Sequence, residues 1–558
     1  MACHQPPRAG RRTAVLALLL VAPVAALSPR ALVGQTVVTS RGWQEATTGS
    51  ELETYLRILQ LAGKSPLYPW SVRGFSPQEI DRLAPRDTLH PWAARLQAPA
   101  ADSARGLRVA VLRPDVRLIY NSAFPWAHTD GVVWAGRGLT ASLELGVQAR
   151  YGPLSLTLDP IIFDAENAAF PLLPNGLSGP RSFGSGITPN TIDLPQRFGS
   201  KAYARIDPGQ STLRLDLYGV ALGVSTANQI WGPSFSQPLI IGNAGPGFPH
   251  VFAGTSAPVD LWIGHLHGLL EVGRLAQSAY SPMPPDSGSG LMASLVATFV
   301  PRWTPGLEVG FTRFFRQPWP IGGIRPSDFL IPFEGLFLTP AQVSQKYNPS
   351  NPNYTPQDQL ASFFARWVFP KNGVELFGEF AREDRNADVR DFLLEPDHES
   401  AFALGFVKLL RRSAQSYSVV RAELANGRPT LLQRLRGEPF FYVHSPLLQG
   451  HTNRGILLGS PAVAYGGVGE TVALDVYRPD GRWTLEGSRQ SYQMPGEGAG
   501  PRGYNVTYAL RAERLFFRRG WDYTVAVTPV FELNRNFARD AFDLRLEVGA
   551  RVVLRGRE

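Results

Sequence analysis

The sequence predicts an all-β transmembrane barrel of about 18 antiparallel strands with a small N-terminal periplasmic helical region, and three observations predict it. After residue 108 the chain runs as segments in which apolar and polar residues alternate. The connections between those segments alternate short and long. Finally, in 558 residues of mean hydropathy −0.10, no run of eighteen apolar residues follows the leader, so helical spans are excluded. A barrel wall needs period-two alternation because side chains point in turn to lipid and lumen. A half-solvated soluble sheet would give the same rows, but it has no reason to sort its connections by length.

In chain order, residues 1–34 have the form of a secretory signal. Arg8, Arg11 and Arg12 precede an apolar stretch at 13–27, and Ala25, Ala26 and Gly34 are candidate cleavage points. Arg11-Arg12 reads as the charge of this leader, since a barrel requires unfolded export. The single cysteine, Cys3, leaves with it, so neither thiol chemistry nor a disulfide is expected. Residues 35–108 form the expected periplasmic region. Ser50 can cap a helix carrying Leu52, Tyr55, Leu56 and Leu59 on one face, with Gly63 placed to end it. Ser76-Pro77-Gln78-Glu79 is a capping box with proline at the first helical position, and 91–96 can add a third short helix. These helices are expected to dock on the periplasmic rim.

Residues 109–558 make the barrel. Short turns are expected at 151–153, 207–210, 267–268, 302–305, 370–373, 411–415, 478–481 and 517–520. Long loops are expected at 121–138, 164–199, 226–257, 277–290, 317–357, 385–398, 426–469, 493–503 and 534–540. Eight turns and nine loops join eighteen strands, an even number that returns both ends to the periplasmic rim. The last strand is the cleanest: Leu544, Leu546, Val548, Ala550, Val552 and Leu554 form the lipid row, and Arg545, Glu547, Gly549 and Arg551 the lumenal one. The lumenal row is expected to tolerate substitution. Val472, Leu474 and Val476 about Asp475, and Leu213, Leu215 and Leu217 about Arg214 and Asp216, repeat the pattern.

Three stretches resemble the Wzi-type capsule assembly proteins. The first is Asn228-Gln229-Ile230-Trp231-Gly232-Pro233 with Leu239-Ile240-Ile241-Gly242-Asn243-Ala244 and Phe248-Pro249. The others are Tyr55-Leu56-Arg57-Ile58-Leu59-Gln60-Leu61-Ala62-Gly63 with Pro69-Trp70-Ser71-Val72-Arg73, and Gly450-His451-Thr452-Asn453-Arg454-Gly455. In the last, His451 stands where the family has an aromatic and Asn453 where it has histidine. The resemblance implies an outer-membrane barrel with periplasmic helices, acting as a surface lectin that anchors exported capsular polysaccharide, with no enzymatic activity. One departure is the C-terminus, Leu554-Arg555-Gly556-Arg557-Glu558, which lacks the terminal aromatic read by barrel assembly machinery.

Read physically, Asn228, Trp231, Gly232, Pro233, Asn243, Phe248 and Pro249 put turn residues where the third long loop must fold back, with aromatics to fill its underside. That suits a plug over the lumen, with direct sugar contact by Trp231 or Asn243 as the alternative. Sugar stacking needs exposed rings beside polar and basic groups. Two loops offer both: 317–357 with Trp319, Arg325, Tyr347 and Tyr354, and 426–469 with Arg434, Arg436, Tyr442, His451 and Arg454. The net charge of +9 rests on 50 Arg against 5 Lys. Guanidinium groups suit an acidic glycan, but they equally suit pairing with Glu and Asp across a lumen.

Catalytic motifs are scarce. Asp384, Asp388, Asp391, Glu395, Asp397, His398 and Glu399 cluster in one loop and could serve a surface hydrolase or hold a divalent cation, or simply solvate the loop. His265 and His267 share a strand face. No cofactor or metal is expected. The expected partners are extracellular or capsular polysaccharide, outer-membrane lipid and lipopolysaccharide, and the assembly machinery. Nucleic acid is not expected, because the basic residues are spread along strands, and a monomer is expected. A porin-type channel is the main alternative to the lectin, since it shares the wall and loops but needs an open bore.

Overall fold

The computed structural model describes residues 46–83, 90–93, 106–127, 130–283, 288–334, 350, 356–383, 393–429, 439–444, 447–493 and 503–552. One sheet of twenty-three strand segments dominates. Ten of the segments join end to end as five interrupted staves, so the pairings run through eighteen. These are β1 (Arg108–Val111 with Asp115–Asn121), β2 (Gly138–Glu144 with Val147–Tyr151), β3 (Leu154–Leu158 with Ile161–Ala165), β4 (Tyr203–Asp207 with Thr212–Leu217), β5 (Val220–Ser225) and β6 (His250–Thr255 with Val259–Leu261). They continue as β7 (Gly264–Leu275), β8 (Gly290–Pro301), β9 (Leu307–Pro318), β10 (Asp358–Phe369), β11 (Val374–Glu383) and β12 (Ser400–Ser413). The last are β13 (Ser416–Asn426), β14 (Val468–Arg478), β15 (Gly481–Gln493), β16 (Tyr504–Arg518), β17 (Trp521–Arg535) and β18 (Arg539–Val552). Neighbours in sequence pair antiparallel, and β18 pairs back onto β1, from Asp115↔Arg551 to Asn121↔Arg545. The sheet therefore closes on itself and leaves no free edge at that seam.

The alternating rows sort as lipid and lumen. On β18, Leu546 and Val548 are 38% and 48% exposed, whereas Asp543, Arg545 and Glu547 are buried. The inward residues are buried because the bore is full. At the short-turn rim, the periplasmic end in barrels of this class, it holds two helices. In α1 (Glu51–Leu61), the Ser50 hydroxyl accepts from Glu53 N and the Glu53 carboxylate from Gly49 N. The helix closes with Gly63 N donating to Gln60 O and Lys64 N to Leu59 O, a Schellman ending. In α2 (Pro77–Leu83) the reciprocal Ser76–Glu79 box forms as its sequence dictates. These helices and the segments beside them dock at the short-turn rim. Arg57 pairs with Glu375 on β11, Trp70 N and Ser71 N donate to Glu308 on β9, and Trp92 Nε1 donates to the carbonyls of Arg478 and Gly481 at the β14–β15 turn. Of the proposed third helix, 94–96 lie outside the described residues.

Two turns fall elsewhere than expected. Residues 207–210 carry Asp-Pro-Gly turn chemistry, yet they form a kink inside β4. Asp207 Oδ1 accepts from Gly209 N, and Gly209 bridges Asp159, where β3 breaks at the same level. The reversal comes at Tyr218 and Gly219, whose φ values of 52° and 83° make the double left-handed geometry of a tight hairpin. Similarly, His267 and Gly268 lie within β7, opposite Thr298 and Ala297, and the chain turns at Trp262 and Ile263 instead. The third long loop is accordingly 226–249, because His250 already belongs to β6.

The lumenal row of β18 is also less tolerant than its polarity suggested. Glu547 accepts from Arg117, Arg511 and Arg545, at 2.8, 3.2 and 3.2 Å. Leu546→Arg should therefore cost about 2–4 kcal/mol through lipid exposure of a charge near the midplane. Glu547→Ala should cost about 3–5 kcal/mol by stranding buried guanidinium groups. Urea unfolding in lipid vesicles measures both.

Candidate functional site

The site is built by the third loop, which leaves the wall because β5 is only six residues long and turns inward at residue 226. Asn228 clasps its base: the amide donates to Gly245 O at 2.7 Å and accepts from Gly247 N at 3.1 Å. Gly247 is required there, since a Cβ would lie 2.1 Å from Thr226 O. Trp231 is fully buried, with its N donating to Ile241 O and its Nε1 to Gln229 Oε1. Gly232 N donates to Ser71 O and Pro233 O accepts from Arg57, so the loop rests on the helical segment below it. Glu423 of β13 takes Phe235 N, Ser236 N and both neighbouring serine hydroxyls, which fixes the loop to the wall. Phe248 is buried in the same apolar cluster, and Pro249 emerges on the outer face.

The seventh long loop clamps this plug from above. Tyr442 and His451 are wholly buried and stacked, ring centroids 5.0 Å apart at 19°. The Tyr442 hydroxyl donates to Leu239 O at 2.6 Å, and His451 Nε2 reaches Ile240 O at 2.6 Å. Burial pushes the His451 imidazole down to about 4, so it stands neutral and Nε2 is the donor. Asn453 donates to the carbonyls of Pro246 and Gly247. Arg454, at φ 56°, pairs with Asp207 on β4, and its N donates to Ala276 O. Beside it, Asp193 of the second loop accepts from Ser278 N at 2.6 Å, with its carboxyl pushed up to about 6 by burial.

These placements correct the sugar-contact reading of Tyr442, His451 and Arg454: the first two bind the plug, Arg454 pairs with Asp207 of the wall, and no sugar face can reach the two buried rings. Trp319 and Arg325 are elsewhere, on a segment folded against the outside of the wall, and Arg325 is exposed in a local turn with Asp328. Tyr347, Tyr354, Arg434 and Arg436 lie outside the described residues, as do Asp384, Asp388 and Asp391. His398 stands 3.6 Å from Glu395 and 3.7 Å from Glu399. Among the described residues no set of three metal-ligating side chains gathers. His265 turns to Asp260, whereas His267 meets Thr255 Oγ1 at 2.6 Å and Glu79 at 3.5 Å, so the two histidines do not converge.

What the plug leaves open is a cavity in the long-loop half, between the third loop and the inner rows of β14, β15 and β16. Trp126 and Phe235, both half-buried, supply ring faces; Gln237, Asn243, Thr471, Ser488 and Thr507 supply polar groups. The Asn243 amide and the hydroxyls of Thr471, Ser488 and Thr507 make no hydrogen bond among the described residues. Rings beside unspent donors and acceptors are what a sugar requires. Among these, sequence reasoning had named only Asn243. Alternation does mark Ser488 and Thr507 as lumenal, but the gap they face is set by where a distant loop stops.

No family model matches the sequence, and no curated protein does. Among solved structures, Wzi of Escherichia coli, described as an outer-membrane protein involved in group 1 capsule assembly and a carbohydrate-binding β-barrel, aligns at 14% identity over 91% of this chain and 98% of its own, with a TM-score of 0.61. The chain has the fold of the Wzi barrel. Two Pseudomonas aeruginosa proteins align more loosely. OccK5 (OpdH) gives 10% identity, 80% and 98% coverage and a TM-score of 0.36; OpdQ gives 10%, 78%, 96% and 0.39. As in the Wzi alignment, the fold is that of an outer-membrane β-barrel, here with an apolar outer wall and a bore occupied by the helical segment and the third loop.

Glu423→Ala should free the third loop without unpairing the wall, because its carboxylate bonds loop groups and not a neighbouring stave. The expected result is faster protease cleavage within 235–245 while heat-resistant electrophoretic migration of the barrel persists.

Proposed function

We propose that this protein is a surface lectin of the outer membrane that holds an exported, capsule-type polysaccharide without chemically altering it. The observation that carries the reading is the cavity beside the third loop, which pairs Trp126 and Phe235 with unspent polar groups on the long-loop side of the bore. Of its lining residues Glu486 and Arg489 alone are charged, Arg489 pairs with Glu470, and other lumenal arginines are engaged elsewhere: Arg57 and Arg366 with Glu375, Arg421 with Asp475, Arg511 with Glu513 and Glu547. A predominantly neutral glycan segment fits this better than a polyanion. The description of Wzi as carbohydrate-binding and involved in capsule assembly agrees with that role. In the same proposal, residues 1–34 are the export signal, 35–108 the periplasmic part and 109–558 the barrel, inserted as a monomer by the assembly machinery. A diffusion channel is disfavoured, because both the helical segment and the third loop would have to leave.

Stacking and hydrogen bonding each contribute about 1 kcal/mol, so Trp126→Ala with Asn243→Ala should weaken glycan binding about tenfold or more. Array binding by the purified barrel and polysaccharide retention by cells, at matched surface abundance, measure it. Unchanged binding would remove the cavity from the site. In planar bilayers the intact protein should show no steady conductance, and deletion of 231–249 together with the helical segment 50–83 should open one; large currents from the intact chain would favour the channel.

A further inference from the structure

The outer surface carries a second feature that glycan binding does not use. Above the level of Ser225 and His250, β5 and β6 are missing from the wall. The Tyr203–Asp207 part of β4 pairs with β3 and, among the described residues, with no strand on its other side. Ile206 there is 74% exposed. Arg454 seals this notch from within through Asp207. Outside, it continues downward as a groove of about 520 Å³ in the lipid-facing surface, lined by Leu156, Leu158, Leu213, Val224 and Val251. Over its upper end lies the segment after β9, which folds flat on the outer wall. Trp319, Ile324 and Ile331 cover the outward side chains Val272, Leu291 and Phe315, and Arg313 holds the flap by donating to Pro332 O.

Where groove and flap meet stands Arg274, near the long-loop end of β7 and in its outward row. The geometry fixes its guanidinium: Nε donates to Ser289 Oγ at 2.7 Å, and the group lies 5.4 Å from the Trp319 ring centre. No carboxylate pairs with it among the described residues. A cation beside a tryptophan at the top of an apolar channel matches a lipid molecule end to end, with chains below at the level of the hydrocarbon and an anionic headgroup above.

We propose that this groove is a binding site for one acylated, phosphate-bearing lipid of the outer leaflet, its chain lying on Leu213, Val224 and Val251 and its phosphate meeting Arg274. The test uses the full mature chain, delipidated in detergent, offered dioleoyl phosphatidic acid, dioleoylglycerol or inorganic phosphate, and read by native mass spectrometry. Wild type should retain one phosphatidic acid per barrel, at least tenfold over dioleoylglycerol, and no phosphate. Arg274→Gln should abolish the preference between the two lipids. Val224→Trp, or Leu213→Trp if the first fails to assemble, should abolish retention of both by filling the groove from a lipid-facing position. Equal retention of the two lipids by wild type, retention unaffected by the tryptophan variants, or binding of inorganic phosphate alone would each overturn the proposal.

Discussion

The inward-pointing carboxylates of the wall are the constraint on which the interior depends. A carboxylate taken out of water needs hydrogen bonds to replace hydration, and here three of them are met by backbone N–H groups of segments that do not belong to the wall. Glu308 takes Trp70 and Ser71, Glu423 takes Phe235 and Ser236, and Glu383 takes Tyr442. The helical segment, the third loop and the seventh loop are thus keyed to carboxylates on β9, β11 and β13, and β11 alone reaches all three through Glu375, Glu379 and Glu383. Apolar contacts, such as Trp231 and Ile240 against Met292, Phe314 and Leu360, fill the space between these keys. The shape of the cavity beside β15 follows from where the keys hold the third loop, and not from any residue of the cavity itself.

The arginine excess has the same logic. Glu375 sits between Arg57 and Arg366, and Glu547 among Arg117, Arg511 and Arg545. Such pairs add little net stability over well-packed apolar groups, because both partners were desolvated to make them. Their geometry does discriminate, since sliding the helical segment by one residue would part Arg57 from Glu375, and a register slip between staves would part Glu547 from its arginines. A large positive formal charge therefore coexists with an interior in which many guanidinium groups are already committed.

Features that depend on local pattern were legible in the sequence. Alternation on β18, the Ser50 and Ser76 caps and the Asn-Gly-Pro composition of the third loop each state their own conformation. Features that depend on what lies across the bore were not. Asp207-Pro208-Gly209 has turn chemistry that a neighbouring break at Asp159 converts into a kink, whereas Tyr218-Gly219 turns without the usual asparagine. Tyr442 and His451 have the composition of a sugar site, yet they stack on each other over a plug that sequence spacing places two hundred residues away. Glu547 looked replaceable because a lumenal row resembles a wet surface until the residues opposite are known. The cavity was least legible, since its polar lining is marked by nothing except the absence of a partner.

That the interior keys are carboxylates carries a consequence for the order of assembly. In a wall without its contents, Glu308, Glu383 and Glu423 would face water and keep their hydration at little cost, so closure of β18 on β1 does not wait for the lumen to be filled. Docking of the helical segment and the third loop then replaces solvent by N–H donors, carboxylate by carboxylate. The barrel can be completed wet and dried afterwards from both mouths, with the vessel made before its stopper.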